Sequence, residues 1–155
     1  MKDSRKPRGS SPRGARREPA TAPILGAEPK TPDVIIVEGD TALAEMLEYS
    51  VANAGRPSRT FRNGDAAIGY LLNDLPPAHA PVVLLDLDLL GSEGFLGLQQ
   101  VVEARPDSRV IVLSAQGAER DQIRALRAGA IDYLVKPLSI PVLIAKVERL
   151  LADRR

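Results

Sequence analysis

Four short apolar runs recur along the chain: VIIV at 34–37, VVLLDL at 82–87, VIVL at 110–113 and IDYLV at 131–135. They are rich in β-branched residues and nearly continuous, the texture of strands buried on both faces. The intervening stretches carry a different period. Leu43, Met46, Leu47 and Val51 follow helical spacing up to Gly55, and Ile68, Leu71 and Leu72 do so before the loop PPAHAP. The pattern returns in Phe95, Leu98, Val101 and Val102 before Pro106, and in Ile123, Leu126 and Arg127 before Gly129. A last helix opens at Ser139, tolerates Pro141 in its first turn and runs on Val142, Leu143, Val147, Leu150 and Leu151. RPSRTF at 56–61, with its proline and few apolar residues, reads as a weak strand at a sheet edge. The order βαβαβαβαβα implies an α/β fold, a parallel sheet joined by right-handed crossovers with helices on both faces.

The first 32 residues do not share this texture. They hold six of the thirteen prolines, and residues 1–19 carry a net charge of +5 within a chain whose total is +1. A segment with so few bulky apolar side chains buries too little to offset its ordering entropy, so residues 1–32 are expected to be a disordered basic tail. No aromatic residue interleaves with its charges, which removes support for base stacking on nucleic acid. The remaining 33–153 suffice for one domain. The absence of cysteine excludes disulfides and thiolate chemistry and accords with a reducing compartment. No apolar run approaches the roughly 20 residues of a membrane helix. A cytoplasmic location is expected, without membrane partners.

Chemistry concentrates where the strands end. Strand one closes in Glu38, Gly39 and Asp40, strand three in Asp86 and Asp88, strand four in Ser114, and strand five in Lys136 followed by Pro137. In open parallel sheets ligands gather outside these carboxyl ends. Carboxylates crowded there repel unless a cation or proton lies between them, and an all-oxygen donor set favours a hard ion such as Mg²⁺. A carboxylate on a rigid strand can attack phosphorus, while an ammonium and a hydroxyl cancel charge on the transferred group.

The segments VIIVEGD, VVLLDLDLLGSEGF, VIVLSA and DYLVKP, in this order and spacing, resemble the receiver domain of bacterial two-component response regulators over about residues 33–153. The resemblance implies a flavodoxin-like, doubly wound (βα)5 sheet with strand order 2-1-3-4-5. It implies phosphate transfer from a histidine kinase or phosphotransfer protein to Asp86, with Lys136 and Ser114 assisting and Tyr133 acting with Ser114 as a switch. Metal ligands would be Glu38, Asp86 and the Asp88 carbonyl, with the Asp88 and Gln116 side chains tuning phosphoryl lifetime. The Lys136-Pro137 peptide is expected to be cis. Such a protein is not a turnover enzyme: it takes phosphate onto its own aspartate and can hydrolyse it. Its downstream partner, or a second copy of itself, would dock on the face of the fourth helix, fifth strand and fifth helix. The chain ends after its last amphipathic helix, so a stand-alone receiver or a fragment is expected.

Two departures stand out. The family closes strand one with two acids, whereas Gly39 follows Glu38 here, and the missing acid is the one expected to touch the metal. Asp40 either reaches round in its place, because Gly39 frees the backbone, or caps the helix starting at Thr41. Leu90 replaces a common proline, which predicts a less constrained loop after Asp86. Gly39 also opens a second reading, a degenerate receiver acting as a phosphorylation-independent interaction module. A third is a phosphatase of the haloacid dehalogenase type, suggested by Asp86-Leu87-Asp88. Against it, the motif falls on the third strand, without a following GT or an acidic cluster after strand four. His79 is assigned no role, and Glu93 is read as an acid favoured by a helix N-terminus.

Overall fold

The computed structural model describes residues 30–153, so most of the expected tail lies outside the described residues. Five strands form one parallel sheet: β1 (Val34–Val37), β2 (Ser58–Phe61), β3 (Val82–Asp86), β4 (Arg109–Ser114) and β5 (Asp132–Val135). Their spatial order is β2-β1-β3-β4-β5. The crossovers contain α1 (Thr41–Asn53), α2 (Gly64–Gly69), α3 (Gly94–Ala104) and α4 (Glu119–Arg127), and α5 (Ile140–Ala152) closes the unit. The weak second strand does occupy an edge, and it begins only after Pro57.

Continuous apolar strands give two cores because successive side chains face opposite sides. Ile35, Val37, Val83, Leu85, Val110 and Val112 meet Ala67, Leu71, Leu98, Val101 and Ala125 on one face. Val34, Ile36, Val82, Leu84, Ile111 and Leu113 meet Leu47, Val51, Leu143, Val147 and Leu151 on the other. So α1 and α5 cover one side, and α2, α3 and α4 the other.

Two local expectations change. The second helix is not one regular α-helix: after Gly69 it widens into a π-turn over Tyr70–Asp74, leaving Leu71 buried and Leu72 exposed. Helix α4 buries Ala125, while Ile123 and Leu126 face outward, because the small alanine lets the helix lie close to the sheet. The loop after Asp86 forms two short 3₁₀ turns over Leu87–Glu93 that meet at a kink at Gly91, and Leu90 fills the space beside two glycines: a Cβ at Gly64 or Gly97 would lie 2.2 or 2.6 Å from its methyls. Gly91 there has φ 64°, ψ −148°, a conformation only glycine adopts readily.

Candidate functional site

Strand register brings the polar strand ends to one rim. Val37 pairs with Leu85, Asp86 with Leu113 and Ser114 with Val135, so Glu38, Asp86, Ser114 and Lys136 follow at the same edge of four neighbouring strands. The Lys136-Pro137 peptide is cis. Glu38 and Ser114 are buried, as is nearly all of Asp86.

The centre is an ammonium between two carboxylates. Lys136 Nζ lies 3.0 Å from Glu38 Oε1 and 3.4 Å from Asp86 Oδ2. Burial pushes the Glu38 pKa above its ordinary 4.5, and the neighbouring Asp86 adds to this, against the lowering effect of Lys136 and the Asp40 N–H. For Lys136, burial is the largest single influence and would lower its pKa. Its contacts with Glu38 and Asp86 together outweigh burial and hold it above 10.5. Removing two anions from water is costly unless a cation stays beside them, and Lys136 is that cation.

Around this centre Asp86 Oδ1 accepts the Asp88 N–H at 3.0 Å, and the Gly39 N–H approaches Asp86 Oδ2 at 3.4 Å. The Asp88 side chain points toward β4: its Oδ1 accepts the Ser114 hydroxyl at 3.1 Å and its Oδ2 the Ala115 N–H at 3.0 Å. The Gln116 N–H donates to Ser114 Oγ at 3.0 Å, and the Tyr133 hydroxyl donates to the Gln116 carbonyl at 2.6 Å. Tyr133 is 7% exposed, so its ring is turned inward.

Asp40 resolves as a helix cap. Its Oδ1 accepts the Leu43 N–H at 2.8 Å, and the side chain is exposed, so it does not stand in for the missing acid. The space of that acid is taken instead by Leu89: a Cβ at Gly39 would lie 2.9 Å from Leu89 Cδ1 and 3.8 Å from Asp86 Oδ2. Arg62 fastens this turn, donating to the Gly39 carbonyl at 2.8 Å and to Thr41 Oγ1 at 2.6 Å. Glu38 Oε2 is buried without a hydrogen-bond partner. A Mg²⁺ ion, which keeps several waters and takes one or two carboxylates, would find Glu38 Oε2 and Asp86 at this rim but not the further acid. Among the described residues no group of three or more acidic, histidine or cysteine side chains is placed to hold a metal. The carboxylate set at this rim is therefore one acid short of the pair that the sequence resemblance leads one to expect at the end of strand one.

A family model described as the response regulator receiver domain matches residues 34–148. The chain belongs to the response regulator receiver family. This receiver domain is 35% identical over 123 residues to the phosphate regulon transcriptional regulatory protein PhoB of Rhizobium meliloti, covering 77% of this chain and 52% of that protein. It is 33% identical to the DNA-binding transcriptional regulator NtrC of Salmonella typhimurium, covering 75% of this chain and 24% of that protein. The chain thus spans about half the length of the first relative and a quarter of the second. Among solved structures, a Francisella response regulator receiver domain has the same fold (TM-score 0.70, 24% identity, covering 80% of this chain and 99% of that one). The beryllofluoride-activated DrrB receiver domain is also similar (TM-score 0.66, 27% identity, covering 80% and 100%). Receiver domains in general bind Mg²⁺; this one differs where Gly39 and Leu89 meet.

Sequence reasoning named Glu38, Asp86, Asp88, Ser114, Tyr133 and Lys136, and the structure gathers all six. It missed Leu89 and the Ala115 N–H. A backbone donor leaves no trace in residue type. The signal for Leu89 was Gly39 itself, since a deleted side chain leaves volume that a neighbour must fill.

Proposed function

We infer that residues 33–153 form a phosphoacceptor domain in which Asp86 receives a phosphoryl group from a phosphohistidine of a histidine kinase or phosphotransfer protein. In that step the N–P bond breaks with its electron pair left on the imidazole, and an Asp86 oxygen forms the new O–P bond. The observation that carries this reading is Lys136 Nζ standing 3.4 Å from Asp86 Oδ2, with the Ser114 hydroxyl and the Ala115 N–H at the next strand end. An ammonium, a hydroxyl and a backbone amide supply what phosphoryl transfer chiefly requires, positioned positive charge and hydrogen-bond donors. The same groups allow slow hydrolysis of the acyl phosphate by water, with no second substrate.

The output surface in this reading is the face of α4, β5 and α5. Ile123, Leu126, Ile131, Val135 and Val142 are large apolar residues exposed on or beside those elements. A downstream protein or a second copy would cover them. A cytoplasmic site of action accords with the family and with the fact that no described helix is long and apolar enough to cross a membrane.

The test is intact mass after incubation with acetyl phosphate at millimolar Mg²⁺. Wild type should gain one phosphate and Asp86→Asn none. Absence of gain in wild type would overturn the reading in favour of a phosphorylation-independent interaction module. Leu89 filling the acid's place specifically favours that second reading. Steady hydrolysis of p-nitrophenyl phosphate would instead indicate a phosphatase.

A further inference from the structure

We propose that the Asp88 carboxylate is a built-in anion that occupies the Ser114 and Ala115 donors and holds Tyr133 inward while Asp86 carries no phosphate. The half of this proposal that concerns competition with phosphate rests on Asp86 being the phosphoacceptor; the half that concerns Tyr133 does not.

The side chain of Asp88 bridges two strand ends. Its backbone N–H is tied to Asp86 Oδ1, and each of its carboxylate oxygens takes one donor from the start of the β4–α4 turn, the Ser114 hydroxyl and the Ala115 N–H. Hydrogen bonds to an ionised acceptor are about twice as strong as neutral ones. Among the described residues Asp88 forms no ion pair, so these donors are what meets its charge. They are also the donors that a tetrahedral anion on Asp86, one strand away, would claim. A phosphoryl group and the Asp88 carboxylate cannot both have them.

The tie extends to the aromatic ring. Asp88 fixes Ser114 and Ala115, Ser114 Oγ accepts the Gln116 N–H, and the Gln116 carbonyl accepts the Tyr133 hydroxyl. The inward ring thus rests on a turn already clasped by an anion. Asp88 is itself exposed, so it can swing aside without crossing packed core. A cavity of about 230 Å³ lined by Asp88, Phe95, Gln116, Asp121, Arg124 and Tyr133 adjoins it and leaves room for the displaced carboxylate. Two consequences follow: phosphate uptake is opposed by Asp88, and the Tyr133 arrangement does not wait for phosphate.

The test compares wild type, Asp88→Ala and the isosteric Asp88→Asn by amide and tyrosine-ring NMR, first with no phosphoryl donor and then with beryllofluoride. Without donor, Asp88→Ala should move the Ala115 amide proton upfield and mobilise the Tyr133 ring, with Asp88→Asn intermediate because it keeps one acceptor oxygen. Beryllofluoride should then bind Asp88→Ala about tenfold more tightly than wild type, the worth of one charge-assisted hydrogen bond no longer surrendered, and return the ring inward. An unchanged Ala115 amide and Tyr133 ring in both folded variants would overturn the clasp. Equal or weaker beryllofluoride binding by Asp88→Ala would overturn the competition. If no variant binds beryllofluoride yet the amide and ring still move, the clasp is supported and Asp86 loses its role as phosphoacceptor.

Discussion

Lys136 and Glu38, 98 residues apart in the chain, meet at 3.0 Å with the Glu38 side chain fully buried. That contact makes Lys136 a structural counter-ion as well as a partner for Asp86. Lys136→Met leaves Glu38 buried without its cation and is expected to cost about 3 kcal/mol of stability. Glu38→Gln in the same background should restore part of the loss. Urea unfolding of the two single variants and the double variant measures both.

The same contact sets a pH dependence. Because the folded Lys136 pKa lies above 10.5, its contribution is fully present below pH 10.5 and is lost as pH rises through the folded value. Glu38 acts at the other end: with its pKa raised above 4.5, the folded state resists ionisation, and stability declines as pH climbs from 4.5 through the raised value. Chemical denaturation across pH should show both slopes in wild type. Lys136→Met should lack the alkaline slope, and a slope retained there would assign it elsewhere.

The approach of Leu89 to Gly39 gives a gain-of-function expectation. Gly39→Asp restores an acid beside Asp86, and the obstructing atom is a terminal methyl that can shift. Mg²⁺ affinity, read from amide shifts during titration, should rise about tenfold or more once a further carboxylate oxygen is available. Adding Leu89→Ala should raise it again. Wild-type affinity already equal to that of the double variant would contradict the occlusion.

Helix α4 tests the packing. Ala125 is fully buried between Ile123 and Leu126, which are exposed. Leu126→Ser should change stability by about 0.5 kcal/mol or less, as for most surface substitutions. Ala125→Leu should cost about 1–3 kcal/mol through overpacking. Thermal melts of the two variants distinguish this seam from one built on Ile123 and Leu126.

Gly129 ends α4 at φ 109°, and a Cβ there would lie 2.6 Å from Val102 Cγ1. Gly129→Ala therefore meets both backbone strain and a clash, with an expected loss of about 1–3 kcal/mol. Val102→Ala in the same chain should relieve the steric share alone, which a double-mutant cycle would show.

The apolar runs at 34–37, 82–87, 110–113 and 131–135, the weaker segment at 56–61 and the helical spacing between them were enough to place five strands, their parallel direction and the polar rim that holds Glu38, Asp86, Ser114 and Lys136. Such periodicities are local, because each side chain's direction follows from its own backbone period. The family resemblance supplied the strand order. Tertiary structure alone decided that Asp40 caps a helix, that Leu89 fills the place of an acid, that Ala125 rather than Leu126 is buried, and that Asp88 turns toward Ser114 and Ala115. Those outcomes depend on which atoms from distant segments compete for the same volume or the same donor, and residue order does not record that competition.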